Sequence, residues 1–598
     1  MQLSFKRLSR SRNLIINSLP GILILVMLSL LYYIFHTSYV FSFNFSYTVT
    51  PHYYIFASAL LVFTLAEIVF IIKQKSININ YLDIFVLMVL FVFFSLLFAT
   101  NSLFNIHKET FCMGGVFLLV YLFFRFLPIN LIKTYFVPVL ILMFFTQLFI
   151  GFKQLYNFHN TDAIHLQING SLQNSGVYSI YLAIHIPLLV YYAKKIGLTV
   201  LRRLLLILIT VAVSILIYFT ESRTSILVLA CIAIIYLSSI TSSSLHKCRL
   251  HLFIACSFLL ILGSYFLFSL KPLSALGRLL IWKISLVHSK EYFFTGIGYG
   301  EFHRNYPLWQ IQYFQNISNG NIKEILVADE SFIAFNEPLQ WFVETGIVGF
   351  LAIAIIMFFI FRRTFHSDEF CKTLQITVAL IIISSLFSYS LHVNSITFLF
   401  VMCIAVLSPN VFLNKINVPT KYFLPFFALN CFLIIQMSYQ LKDVLLWDKL
   451  SNDVLLSEKQ LSDKYQEVLP SLKQSGKFML DFSQVLFLSN DKQAMTTIEK
   501  ATEYFPSVAA FSLESQILEK QNDYKRMIKI YKQLCGIQPY KFSHREKLMK
   551  LYLMINDTAN AIREAEFILS MPIKIPSSQI DSIRGRSREY LTRISRVN

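Results

Sequence analysis

Between residues 14 and 438 the chain repeats one pattern about thirteen times: roughly twenty apolar residues, then a short polar or basic stretch. A bilayer core of about 30 Å is crossed by a helix of about twenty residues. Inside that core every backbone N–H and C=O must find a partner within the protein, and a helix does this within a single segment. The blocks fall near 14–35, 53–73, 82–100, 112–128, 132–152, 175–193, 200–219, 225–241, 249–270, 346–363, 372–391, 394–413 and 421–439. With 56% hydrophobic and 14% charged residues, the chain is too apolar for a water-soluble globule. The expected fold is all-α. A polytopic membrane domain over 1–440, with about 13 transmembrane helices, is followed by a soluble helical domain over 441–598.

Charge sets the expected orientation. Lys and Arg concentrate in alternate loops, "IIKQKS", "RFLPINLIK", "AKKIGLTVLRR", "LHKCRLH", "FRRTFH" and "NKINVPTK". Under the positive-inside tendency these loops are cytoplasmic. The other set, including a long loop over about 271–345, then faces out, as does the tail after an odd number of spans. The basic start has the look of a signal peptide, but its apolar run is long and lacks an A-x-A site, so it reads as a retained first span. The net charge of +19 follows from this topology and needs no nucleic acid. Eight scattered Cys contain no C-x-x-C, so neither a zinc site nor a disulfide framework is expected, and no metal or cofactor is called for. No Walker, H-E-x-x-H or G-x-S-x-G motif is present, which removes ATPase, zinc-protease and serine-hydrolase readings.

The tail has its own rhythm. Asn-Asp recurs at 490–491, 522–523 and 556–557, and Pro at 506, 539 and 572. The amphipathic stretches between them give a period near 34 that resembles tetratricopeptide repeats over roughly 480–575, without the signature Trp and Gly positions. Such units bury their apolar faces only by stacking, which suits a docking module for a protein partner.

Polar residues in hydrocarbon are costly. Glu67 in the second block and His185 in the sixth read first as hydrogen-bonded packing residues. A proton path through them is the transporter alternative. Richer chemistry gathers at the outward ends. Arg223 opens the eighth block in "TESRTSILVLA". Arg278 stands in "GRLLIWKISLV", an expected interfacial helix with Trp282 as anchor, followed by "TGIGYGEF". "FNEPLQWFVETGIVGF" then places Asn336, Glu337, Gln340 and Glu344 about one turn apart at the start of a span. Asn336 as cap and Glu337 in the first turn explain two of these without chemistry.

In order, "NGSLQNSGVYSIYLAIHIPLLVYY", "ESRTSILVLA", "GRLLIWKISL…TGIGYGEF" and "FNEPLQWFVETGIVGF" resemble the O-antigen ligase superfamily, which also holds O-antigen polymerases and protein O-oligosaccharyltransferases. The similarity covers about 165–365. It implies an integral-membrane glycosyltransferase of the polyprenyl-phosphate type in the bacterial inner membrane, with the active site and tail in the periplasm. It also implies transfer of a glycan from undecaprenyl pyrophosphate to a lipid A-core hydroxyl, or alternatively to a protein or a growing polymer. Carried over by motif, Arg223 and Arg278 would hold the donor pyrophosphate, supported by Asn174, Asn336 and Gln340. The chain departs from the family at its motif His, where Phe335 stands. Glu337, Glu330 and His303 are the base candidates that remain.

Overall fold

A computed structural model describes residues 76–595 apart from 87, 90–117, 119, 161–167, 173, 198, 241–271, 317–321, 363–367, 412–415, 420–427, 429–434, 436–441, 454 and 490–491. The expected spans 14–35, 53–73 and 249–270, most of 82–100 and 421–439, and Glu67 lie outside the described residues. In chain order the membrane part runs β1 (Ser76–Ile79), α1 (Val137–Asn160), α2 (Ser175–Ile196), α3 (Val200–Thr220), α4 (Arg223–Ile240), α5 (Pro272–His288), α6 (Phe302–Asn316), α7 (Ile322–Val327), α8 (Glu337–Arg362), α9 (Glu369–Ser385), α10 (Asn394–Val411) and β2 (Ile416–Pro419). The helical run Ile129–Asn157, which ends in α1, and α2, α3 and α8 are long and apolar enough to cross a membrane; the apolar helices Arg223–Tyr236 and Asn394–Pro409 are shorter. The fold is that of an all-α polytopic membrane protein.

Helix α2 forms the middle of the bundle, packed against α1, α3, α4 and α9, with almost its whole circumference buried. Helix α3 instead leaves Leu204, Ile207, Leu208, Val211, Ile215 and Tyr218 exposed. An outward apolar stripe of this length suits lipid rather than water. His185 is buried in α2, its Nδ1 2.7 Å from the Tyr181 carbonyl, with its ring against Tyr181 and Phe144. It is a packing residue here.

The two ends of the bundle differ. At one end Lys133 pairs with Asp368 at 3.3 Å and Lys194 with Glu369 at 3.4 Å. Helix α2 is about 33 Å long at 1.5 Å per residue, so its cap Asn174 lies at the opposite end. A buried clasp ties early and late segments together. Arg125 grips Asp83 through Nε and Nη2, each at 2.7 Å, while Tyr121 and Ser408 donate to the same carboxylate at 2.7 and 2.8 Å. Beside the clasp in sequence, β1 and β2 pair antiparallel, Ser76 opposite Pro419, a strand pair that the apolar pattern did not announce.

The stretch expected as a long loop is itself folded. Helices α5, α6 and α7 enclose a separate core of Leu280, Ile284, Phe302, Tyr306 and Trp309. Lys283, Tyr313 and Glu324, mutually bonded at 2.7–2.8 Å, tie those three helices at the surface. Trp282, expected as an interfacial anchor, donates its Nε1–H to the Ala334 carbonyl at 2.8 Å. The indole is therefore turned into the protein, where its N–H finds a partner.

The tail is helical throughout its described length: α11 (Glu458–Leu472), α12 (Gly476–Leu488), α13 (Gln493–Tyr504), α14 (Val508–Lys520), α15 (Tyr524–Ile537), α16 (Phe542–Met554), α17 (Thr558–Ser570) and α18 (Ser578–Ser595). Each helix packs on the next. The Asn-Asp dipeptide has a physical role. Asn522 and Asn556 adopt positive φ (58° and 59°) to end one helix, and Asp523 and Asp557 cap the next. The tail also docks on the membrane part through α15 and α6, where a methyl group at Gly536 would stand 2.8 Å from Ile311 Cα.

Candidate functional site

Helix α3 ends at Thr220, Glu221 takes a left-handed turn (φ 50°), and α4 begins at Arg223. Hydroxyls pin that corner to α2, with Ser222 Oγ 2.7 Å and Ser179 Oγ 2.6 Å from Ser225 Oγ. Arg223 is therefore held at the same end of the bundle as Asn174. Arg278 on α5 comes into this region. Burial, then the like charge of Arg223, lower the proton affinity of its guanidinium. Arg278 Nη1 donates to the Phe387 carbonyl at 2.5 Å, and its Cζ lies 5.2 Å from the centre of the Phe335 ring. Phe335 meets Tyr389 edge-on at 5.7 Å. Phe335 also has φ of 53°, a strained value for a bulky side chain.

Arg278 lines a cavity of about 300 Å³ with Tyr306, Gln310, Asp329, Glu330, Phe335 and, from the tail, Lys574. The tail holds the rim in place. Val508 N–H donates to Glu330 Oε1 at 2.6 Å; Gln538 Nε2 and the Tyr540 hydroxyl reach the two oxygens of Asp329 at 2.8 and 2.9 Å. Gln310 Nε2 donates to the Ile537 carbonyl at 2.7 Å. Burial pushes the Glu330 carboxyl above the ordinary range, the Val508 N–H opposing it.

A buried polar row runs along the first turns of α8: Glu337 (1% exposed), Gln340 (2%) and Glu344 (2%). Glu337 Oε1 lies 2.8 Å from His392 Nδ1 and accepts the Leu391 N–H at 3.0 Å. Gln340 Nε2 is 3.1 Å from His392 Nε2 and 3.0 Å from Glu344 Oε1, and Glu344 Oε2 accepts the Gly300 N–H at 3.0 Å. Just after the row, α8 breaks at Gly346 (φ 64°, ψ −171°). The freed backbone pairs with the glycine loop: Ile297 N–H to Val343 O at 3.0 Å, Gly298 N–H to Glu344 O at 2.9 Å, Ile347 N–H to Phe293 O at 2.8 Å. A Cβ at Gly296 would sit 2.3 Å from the Glu344 carbonyl carbon. The glycines of "TGIGYG" thus allow two backbones to touch.

The predicted residues separate into groups. Arg278 and Glu330 share the cavity, and Arg223 acts on Arg278 through its charge. Asn174 and Asn336 are helix caps, accepting the Val177 and Leu339 N–H groups at 3.1 and 2.9 Å. Glu337 and Gln340 are not among the cavity-lining residues, and neither is His303, whose Nδ1 is 2.7 Å from the Gly300 carbonyl. Two residues escaped sequence reasoning. His392 sits in "HVN", which looks only like a break between spans, and Lys574 sits in the tail; neither carries a motif, and both are brought in by tertiary contact.

The bundle of long apolar helices defines a multi-pass membrane protein, and the arginine-bearing cavity lies among α5, α6 and the tail. Residues 204–354 match the family model described as O-antigen ligase, so this stretch of the chain is similar to that family. Arg223, Arg278, the glycine loop and the break in α8 all fall inside the matched stretch; His392 and the tail fall outside it. No curated protein and no solved structure matches the chain.

Proposed function

We propose that this protein transfers a glycan from undecaprenyl pyrophosphate to a lipid A-core or similar hydroxyl, on the periplasmic face of the bacterial inner membrane. The observation that carries this reading is that Arg278 and Glu330 line one cavity. The acceptor oxygen attacks the anomeric carbon, the bond from that carbon to the phosphate oxygen breaks, and pyrophosphate leaves with the electron pair. Arg278, with Arg223 adding charge, stabilises the leaving oxygens; a planar guanidinium binds phosphate through two N–H groups and stays charged. Where water is scarce, such a contact gains most as charge builds, so it lowers the barrier rather than merely binding the donor. Glu330 takes the hydroxyl proton. Its raised proton affinity suits a base near neutral pH, and the Val508 N–H orients one oxygen. Glu337, bonded to His392, keeps a structural part. A protein hydroxyl is the second reading, favoured by the tail forming part of the rim.

The test is transfer by purified variants in detergent. Arg278→Ala is expected to lower turnover about a hundredfold or more, and Glu330→Gln about a hundredfold to ten-thousandfold. Wild-type turnover in Glu330→Gln, with loss in Glu337→Gln, would return the base to Glu337. The glycan lost from a deletion strain, lipopolysaccharide ladder or glycoprotein, identifies the acceptor.

A further inference from the structure

The cavity holds a charge pattern that the transfer reading leaves unused. Lys574 lies between Pro572 and Pro576 in the turn after α17, a stiffened position. Its ammonium rests 4.0 Å from the centre of the Tyr540 ring, and the Tyr540 hydroxyl donates to Asp329. Lys574 and Arg278 line the same cavity, one supplied by the tail and one by α5. Asp329 and Glu330 line the cavity too, yet they are served from elsewhere: Gln538 and Tyr540 donate to Asp329, the Val508 N–H donates to one oxygen of Glu330, and the charge of Lys477 acts on Glu330 as well. Among the described residues neither Arg278 nor Lys574 forms an ion pair with a carboxylate. Two cations that form no ion pair thus line one cavity, a charge arrangement suited to an anion.

We propose that Lys574 is a second cation of the donor site, so that the tail is part of the transfer centre as well as a docking module. The ligand is a pyrophosphate, which Arg278 and Lys574 contact from opposite domains. This rests on the donor reading given above. It also gives tail docking a consequence: lifting the tail removes one of the cations that hold the leaving group.

The experiment titrates the full-length protein in detergent with undecaprenyl pyrophosphate lacking a glycan, and separately with lipid A, which carries phosphates on the acceptor side. Lys574→Ala is expected to weaken undecaprenyl pyrophosphate roughly tenfold, the effect of one charge-assisted contact. Lys574→Arg should stay close to wild type, and lipid A binding should not change. Should Lys574→Ala unfold the tail, Lys574→Met, which keeps the stem over Tyr540, makes the same comparison. Wild-type affinity in the Lys574 variants together with loss in Arg278→Ala overturns the role of Lys574 and leaves the donor reading standing. Wild-type affinity in both overturns both. A loss confined to lipid A overturns the assignment to the donor.

Discussion

Phe335 occupies the position where the family resemblance expects a histidine base, and its ring instead faces the Arg278 guanidinium. The residue is held at positive φ, a cost of about 1–2 kcal/mol for a side chain of this kind. That strain is tolerated because the ring is fixed on both sides, by Arg278 and by Tyr389. Phe335→Leu should therefore release Arg278 and weaken pyrophosphate binding about two- to thirtyfold, the span of a cation–π contact. Glu330 gives a prediction in pH. Its folded-state proton affinity is raised, so the base form fills only as pH climbs past the ordinary carboxylate range. The acid limb of kcat/KM should lie above that of a free glutamate, and should vanish in Glu330→Gln along with most of the rate.

At the scale of elements, the break in α8 is what lets the glycine loop pack against it. Gly346 sits in a backbone region open almost only to glycine, and a Cβ there would stand 2.2 Å from the Phe294 carbonyl oxygen. Gly346→Ala is expected to cost at least about 2 kcal/mol and to lower the thermal midpoint of the extracted protein, since neither α8 nor the glycine loop can retreat without losing shared hydrogen bonds. In the tail, burial lifts the Glu514 carboxyl of α14 to about 7. A raised carboxylate favours the protonated folded state, so its contribution is fullest below the ordinary range and is lost as pH rises through about 7. The tail should resist proteolysis better at pH 5 than at pH 8. Glu514→Gln should lessen that slope, the rest coming from Asp481, whose carboxyl burial lifts to about 6, and should stabilise the tail at pH 8 by about 1–3 kcal/mol.

At the scale of the whole molecule, the membrane part and the tail meet over the cavity. Deleting 441–598 would remove Lys574 and the Val508 N–H that holds Glu330, and would bare α6 where α15 packs. Transfer by the truncated protein should fall further than transfer by Lys574→Ala; equal losses would mean that the tail acts through Lys574 alone. How much of this was legible in the sequence depends on the range of the physics. The bilayer imposes its thickness on every span, so α2, α3 and α8 are written in the chain as runs of apolar residues. Local rules likewise reveal the caps Asn174 and Asn336 and the Asn-Asp turns of the tail, because each acts within four residues. The two arginines were legible as charges at span ends. By itself, then, the sequence determined the all-helical membrane class, the period of the tail and which arginines to look at. The tertiary structure decided the rest: that Phe335 supports Arg278, that Glu330 rather than Glu337 lines the cavity, that His392 holds Glu337 from 55 positions away, and that Lys574 joins a wall built some 240 residues earlier. Those pairings have no period and no motif, because they depend on where folded elements come to rest against one another.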